Sequence, residues 1–170
     1  MVKSGQKWLE VVKKYVKIQT KGRGILIMFL GEYKYSCDDK NRLRLPPKFK
    51  KCLAEGVVLT KGNDGCIFVV PKNEFESIFE KVNNLPMFDS RAQKPLRMLF
   101  SSAVEVEEDN QGRFLLPLNL KEYAKINKDI VFIGVGNRIE LWASEVWQEY
   151  NDNANSNFDQ ILSNLGDYGI

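Results

Sequence analysis

The stretch Asp38-Asp39-Lys40-Asn41-Arg42-Leu43-Arg44-Leu45-Pro46 occurs a second time in this chain as Asp109-Asn110-Gln111-Gly112-Arg113-Phe114-Leu115-Leu116-Pro117. The two stretches align residue for residue. The alignment continues outward, because alternating apolar residues precede both stretches and, after one extra residue in the later copy, residues 67–70 correspond to residues 139–142. A long repeat that occurs only twice is typical of a duplicated half-domain, since repeat arrays usually need at least three units.

Each copy predicts the same order of elements: a strand, a tight turn, a strand ending in proline, a short helix or loop, a hairpin and a helix. In the later turn, Gly112 supplies the left-handed backbone conformation that a tight turn needs. Asn41 occupies the matching position in the earlier turn and is the residue that tolerates this conformation best after glycine. We therefore expect both turns to close hairpins, in a chain of the α+β class.

Beyond each turn, strand alternation separates apolar from basic side chains. In the first copy Leu43 and Leu45 share one face while Arg42 and Arg44 share the other; in the second copy Phe114 and Leu116 oppose Arg113 and Leu115. Each copy thus presents an arginine on an exposed strand face, four residues after an aspartate. The pair is interpreted either as a cross-strand ion pair that holds the hairpin or as a functional arginine. The spacing alone does not choose between them.

The basic side chains are unevenly distributed. Residues 1–27 contain seven basic and one acidic residue, which leaves eighteen of the 25 basic and twenty-one of the 22 acidic residues for the rest of the chain. Within this mildly acidic remainder, one stretch is basic and has no acid. A solvated surface and a phosphate-binding surface both fit such a run, and its coincidence with the repeated turn favours contact with DNA. The residues of this cluster are Lys40, Arg42, Arg44, Lys48, Lys50 and Lys51.

The composition argues against an enzyme. The chain has no histidine, so it lacks the usual general base and any mixed cysteine and histidine zinc site. Its three cysteines, Cys37, Cys52 and Cys66, are scattered and are interpreted as small apolar core residues. The sequence also has no glycine-rich phosphate loop. We expect no catalytic residue, no metal site and no cofactor.

The paired motif resembles that of the bacterial MraZ family. The resemblance rests on the aspartate and arginine motif occurring twice, each time before an alternating strand and a proline, on Met28-Phe29-Leu30-Gly31 at the start of the first copy, and on Glu140-Leu141-Trp142 in the second. MraZ proteins are similar to AbrB-type regulators. The resemblance implies two pseudo-repeats that form a β-rich swapped-hairpin barrel with flanking helices. Asn41 departs from the glycine usual in the first motif, and the turn chemistry accommodates it.

The resemblance also implies a function. MraZ-like proteins are sequence-specific DNA-binding regulators, so we expect a repressor of the division and cell-wall gene cluster that also acts on its own promoter. Arg42 and Arg113 fall on the motif arginines implicated in DNA contact; Asp38 and Asp109 are the motif aspartates, and Gly112 belongs to the second motif. The alternatives are an AbrB-like antitoxin and a ring-forming scaffold that does not bind DNA.

The expected partners are double-stranded DNA and further copies of the chain. The resemblance implies a homo-oligomeric ring, and neighbouring subunits of a ring are related by rotation, which favours an operator made of direct repeats. We expect a cytoplasmic, nucleoid-associated protein with no membrane partner, because the apolar run at residues 24–30 is too short to span a bilayer.

We expect five segments: a basic extension (1–27), a first MraZ/AbrB-like repeat (28–85), a linker and helix (86–98), a second repeat (99–150) and a polar tail (151–170). Asp89 followed by Ser90 predicts the start of the linker helix. Asparagines from Asn151 onward predict a break before a short amphipathic segment at residues 158–165. In residues 1–27 the apolar spacing predicts an amphipathic basic helix, and we favour a misplaced start upstream of Met28 over a functional arm.

Overall fold

The computed structural model describes residues 28–50, 52–53, 56–83, 85 and 89–168. Lys51 and the predicted extension at residues 1–27 lie outside the described residues. The strands are β1 (Phe29–Ser36), β2 (Arg42–Arg44), β3 (Val57–Lys61), β4 (Ile67–Pro71), β5 (Val104–Val106), β6 (Arg113–Leu115), β7 (Asp129–Gly136) and β8 (Ile139–Ala143). The helices are α1 (Pro47–Lys50), α2 (Lys72–Val82), α3 (Ser90–Ser101), α4 (Leu118–Tyr123), α5 (Ser144–Ser156) and α6 (Phe158–Ser163), followed by a 3-10 turn at Asn164–Tyr168.

The two copies exchange strands. The larger sheet has six strands in the order β1-β7-β8-β4-β3-β5, and β2 pairs with β6 in a separate two-stranded ribbon. All these pairings are antiparallel. The first strand of each copy therefore pairs with the third strand of the other copy, as β1 with β7 and β5 with β3. The predicted α+β class and the interleaved pseudo-repeats are confirmed, whereas closure of the sheets into a barrel stays a prediction.

The expectation that each repeated turn closes a simple hairpin is wrong. The turns themselves form, but β1 does not pair with β2, and β5 does not pair with β6. Each of these strands instead finds its partner in the other copy. Strand alternation predicts a buried face without specifying which strand completes the ladder, so the local sequence did not reveal the exchange.

A pseudo-two-fold axis relates the copies. Leu43 and Phe114, which occupy the same position in the repeat, lie directly opposite each other in the ribbon. Phe68 and Glu140 do the same where β4 meets β8. Identical positions can face each other in an antiparallel pair only when a two-fold axis passes between them. The motif turns of the two copies consequently lie on opposite ends of one short ribbon.

The core contains equivalent residues of both copies. The apolar faces predicted beyond the turns are inside, because Leu43, Leu45, Phe114 and Leu116 are at most 5% exposed. They join one continuous cluster with side chains from the larger sheet, such as Phe132. This shared core attaches the ribbon to the sheet, so the ribbon's other face points outward.

Helices cover the sheet after each hairpin. Phe75 and Phe79 of α2 make edge contacts with the ring of Phe100 in α3. The predicted start of α3 is confirmed, since the Asp89 side chain accepts a hydrogen bond from the backbone N–H of Arg91. No helix in the described part of the chain combines the length and the apolar character needed to cross a membrane.

The predicted polar break occurs later than expected. Helix α5 continues from Asn151 through the asparagines to Ser156, and the chain breaks at Asn157, before α6 begins at Phe158. Two contacts at helical spacing support this stretch. Gln148 Nε2 donates to Asp152 Oδ1 at 2.9 Å, and the rings of Trp147 and Tyr150 stack with centroids 5.9 Å apart. Such pairs stabilise a helix whose residues are individually poor helix formers.

Candidate nucleic-acid interface

The motif aspartates build the two turns. Asp38 Oδ1 accepts hydrogen bonds of 2.9 Å from the backbone N–H groups of Lys40 and Arg42. Asp109 Oδ1 does the same for Gln111 and Arg113, at 2.8 and 3.0 Å. A carboxylate is suited to this role because it accepts several hydrogen bonds at once and leaves its second oxygen for another donor.

The third residue after each aspartate adopts the left-handed conformation. Asn41 has φ of 57° and Gly112 has φ of 69°, as the turn chemistry predicts. Asparagine and glycine are the residues that adopt this conformation at least cost. The backbone therefore reverses sharply and delivers the arginine that follows in a defined position.

Each motif arginine forms an ion pair with the aspartate of its own turn. Arg42 Nε and Nη2 both lie 2.7 Å from Asp38 Oδ2. Arg113 Nε and Nη2 lie 2.9 and 2.8 Å from Asp109 Oδ2. The predicted ion pair between aspartate and arginine therefore forms in both copies, although each pair lies within one turn and not across a hairpin. The arginine side chains remain 29% and 21% exposed, so a ligand can still reach the guanidinium groups.

Strand exchange brings the motif arginines of the two turns onto one ribbon. In the ribbon, Arg44 lies opposite Arg113, and Arg42 lies opposite Leu115. Arg113 Nη1 lies 3.8 Å from Asp38 Oδ2, which links the arginine of the second copy to the aspartate of the first. The outward face of the ribbon, defined here as Arg42, Arg44, Arg113 and Leu115, is a single composite surface.

The carboxylates of the motif stay ionised. Hydrogen bonds from the backbone N–H and the side chain of Arg42 lower the pKa of Asp38. For Asp109, hydrogen bonds from the side chain and the backbone N–H of Arg113 lower the pKa from 3.8 to about 2. Hydrogen bonding to the charged form is a direct cause of such shifts. The aspartates therefore orient the arginines and have no proton to exchange near neutral pH.

A groove of about 710 Å³ runs beside the ribbon. Of the predicted DNA-binding residues, Arg42, Arg44 and Arg113 line it, together with the motif residue Asp38. Its remaining walls come from three elements: β1, the start of β7 and the first turns of α5. The predicted residues Lys40, Lys48 and Lys50 are not among the residues that line it. The lining residues from β1, β7 and α5 are Lys34, Tyr35, Ser36, Asp129, Val131, Ser144, Trp147 and Gln148.

The three other described lysines of the basic cluster lie around the ribbon. Lys40 is exposed in the first turn. Lys48 Nζ lies 5.8 Å from the centroid of the Tyr33 ring, within the range of a cation–π contact. Lys50 Nζ forms a 2.6 Å ion pair with Glu108, so its charge is already compensated.

Sequence reasoning missed Lys34 and Trp147. Lys34 is an ordinary exposed strand residue, and Trp147 follows it by more than half the chain. Both line the groove beside the motif arginines because β1 pairs with β7 and because Trp147 of α5 donates a 3.1 Å hydrogen bond to Glu32 of β1. No local pattern signals this proximity.

Comparison with known proteins gives the family. A family model described as "MraZ protein, putative antitoxin-like" matches residues 28–98 and again residues 99–167. The chain belongs to the MraZ family. A relative from Syntrophomonas wolfei subsp. wolfei, named Transcriptional regulator MraZ, is 46% identical over 143 residues, which is 84% of this chain and 100% of the relative. A relative of the same name from Clostridium tetani is 47% identical with the same coverage.

The two family matches each contain one motif turn of the composite site. This single chain therefore holds both turns, and the pseudo-two-fold ribbon forms within one molecule. The expected resemblance is confirmed along the whole described part of the chain.

Proposed function

We propose that this protein is a sequence-specific DNA-binding transcriptional regulator that acts through the outward face of the β2–β6 ribbon. Its MraZ relatives are named as transcriptional regulators. The observation that carries the proposal is the convergence of Arg42, Arg44 and Arg113 on one exposed ribbon. A two-stranded ribbon fits the major groove of B-DNA, where arginine side chains bind guanine O6 and N7.

The chemistry of the ribbon suits base recognition as well as phosphate contact. The motif aspartates hold Arg42 and Arg113 in fixed positions, and a pre-positioned guanidinium loses less conformational entropy when it binds. Leu115 is 60% exposed on the same face. An exposed apolar side chain among arginines is suited to contact with a thymine methyl group.

We propose further that the protein is a repressor of the division and cell-wall gene cluster, including its own promoter, and that it works as a homo-oligomeric ring at the nucleoid in the cytoplasm. One subunit offers few phosphate contacts, and affinity grows with the number of phosphates neutralised. A ring repeats the ribbon at fixed spacing, so one duplex with direct repeats engages several subunits at once.

The test measures binding of the full chain to a duplex from the promoter upstream of its own gene, by fluorescence anisotropy. Arg42→Ala should weaken binding by about 1–3 kcal/mol if the guanidinium contacts a base edge. Light scattering on the same samples gives the oligomer mass, which should stay unchanged. Unchanged affinity in a folded variant of unchanged mass would remove Arg42 from the interface.

The family description contains the words "putative antitoxin-like", which keeps a protein-neutralising role as a second candidate. Equal binding of the wild-type chain to promoter and scrambled duplexes would favour that candidate, or a scaffold that does not bind DNA, over a regulator.

A further inference from the structure

The pseudo-two-fold axis gives the ribbon two flanks with different chemistry. We define the β1 flank as Lys34 and Ser36 of β1 with Ser144 and Gln148 of α5. The corresponding residues of the other copy form the β5 flank, which comprises Glu105 and Glu107 of β5 with Lys72 and Glu76 of α2. The motif turns connect β1 to β2 and β5 to β6, so each flank adjoins the ribbon through the turn of its own copy. A ligand that lies across the ribbon is therefore exposed to any difference in charge between the flanks.

The β1 flank is basic. Lys34 is exposed and, within the described residues, has no salt bridge. Arg44, at the adjoining edge of the ribbon, is likewise exposed and has none within them. Two acids adjoin this flank. Asp129 lies at this end of the groove, and Glu32, on the same face of β1 as Lys34, accepts a 3.1 Å hydrogen bond from Trp147 Nε1. The other acid in the groove lining, Asp38, is bound to Arg42. The flank therefore offers two basic side chains, Lys34 and Arg44, that form no salt bridge within the described residues.

The β5 flank is acidic. Glu105 replaces Lys34 and forms a 2.7 Å ion pair with Lys72, which compensates the one basic residue of this flank. Glu107 and Glu76 are exposed where the β1 flank has Ser36 and Gln148. Leu115 takes the position of Arg44. One equivalent pair, Lys34 and Glu105, thus has opposite charge, and each of the other equivalent pairs differs by a single charge. Three of those pairs make the β5 flank the more negative one, and the fourth adds Lys72, whose charge Glu105 compensates.

We infer that DNA lies asymmetrically on this subunit, with its phosphates along the β1 flank at Lys34 and Arg44 and with the β5 flank turned away. This inference rests on the DNA-binding function proposed above. A phosphate near Glu105 and Glu107 is repelled, whereas the same phosphate near Lys34 releases counterions and gains affinity. The backbone of the subunit has pseudo-two-fold symmetry, but only one of its two sides contacts the DNA. Each subunit therefore recognises a DNA element that has no internal two-fold symmetry.

The test compares two single-charge deletions at opposite flanks in the full chain. Lys34→Ala should lower affinity for the promoter duplex roughly tenfold at 0.1 M salt and lower the log–log salt slope by about one, since it removes one phosphate contact. Lys72→Ala also removes one lysine, but on the β5 flank, and should leave the slope unchanged. Glu105→Gln should likewise leave the slope unchanged if the duplex is remote from it.

The outcomes separate this inference from the proposed function. Equal losses from Lys34→Ala and Lys72→Ala, in variants with wild-type melting temperature, would overturn the asymmetric placement while leaving DNA binding intact. A changed oligomer mass for Lys34→Ala with wild-type DNA affinity would also overturn it, and would assign the β1 flank to contact with a second copy. Failure of the wild-type chain to prefer its promoter would overturn the function and the inference together.

Discussion

Lys50 Nζ lies 2.6 Å from Glu108 Oε2, so a lysine of the first copy contacts the turn of the second. Lys121 occupies the same position in the second copy, and its Nζ donates a hydrogen bond to Asn41 Oδ1 in the turn of the first. Each copy thus contacts the other's turn through the same lysine. The ribbon is held at both ends by these contacts in addition to its own backbone pairing.

This relationship predicts unequal roles for two neighbouring lysines. Lys48→Ala should lower the salt slope of promoter binding by about one, because its ammonium has no carboxylate partner among the described residues. Lys50→Ala should change the slope less, since Glu108 already compensates its charge. Anisotropy titrations at several salt concentrations measure both slopes.

Lys121→Ala is the matched control for Lys50→Ala, because it removes the equivalent contact at the other end of the ribbon. We expect the salt slope of promoter binding to be the same for Lys121→Ala as for Lys50→Ala. A larger slope change for Lys50→Ala than for Lys48→Ala would show that the ion pair with Glu108 opens in the complex.

The motif carboxylates predict a specific dependence of stability on pH. The folded chain lowers the pKa of Asp109 from 3.8 to about 2, so it favours the ionised form. The resulting stabilisation is fully present above about pH 4 and is lost as the pH falls from about 4 to about 2. Asp109→Asn should therefore lower the melting temperature at pH 6, and the difference from wild type should shrink across that window.

Asp39→Asn serves as the control for this experiment. Its carboxylate is exposed and has no salt bridge within the described residues, so the variant should follow the wild-type pH profile. A constant difference in melting temperature between wild type and Asp109→Asn from pH 6 to pH 2 would contradict the coupling of Arg113 to the ionised carboxylate.

The order of elements could be predicted because the signals are local. Turn residues, alternation and helix caps act within a few positions. Asn41 and Gly112 adopt the left-handed conformation in their turns, and Asp89 caps the start of α3. The strand partners could not be predicted in this way. Tyr33 lies opposite Phe132, which is far along the chain. Several strands of this sequence have the same alternation, so alternation alone does not identify the partner of β1.

The candidate site was predictable to the same extent. The motif places Arg42 and Arg113 on exposed strand faces, and the structure does so too. Charge counting does not reveal that Lys50 is neutralised by Glu108 or that Lys34 joins the groove, since both depend on strand exchange. The residues that local patterns miss are those whose neighbours come from the other copy.

The exchange itself depends on close approach between β1 and β7, which gives the last prediction. Gly134 lies opposite Gly31, and a Cβ at Gly134 would lie 2.4 Å from the backbone nitrogen of Leu30 and from the carbonyl carbon of Phe29. Backbone atoms cannot rotate away as a side chain does, so Gly134→Ala must separate the strands. We expect a loss of about 1–3 kcal/mol or more in the free energy of unfolding, measured by urea denaturation. Gly166→Ala is the control, because a Cβ there meets no atom within 4 Å, and it should unfold as the wild type does. Wild-type stability of Gly134→Ala would mean that β1 and β7 do not pair in this register.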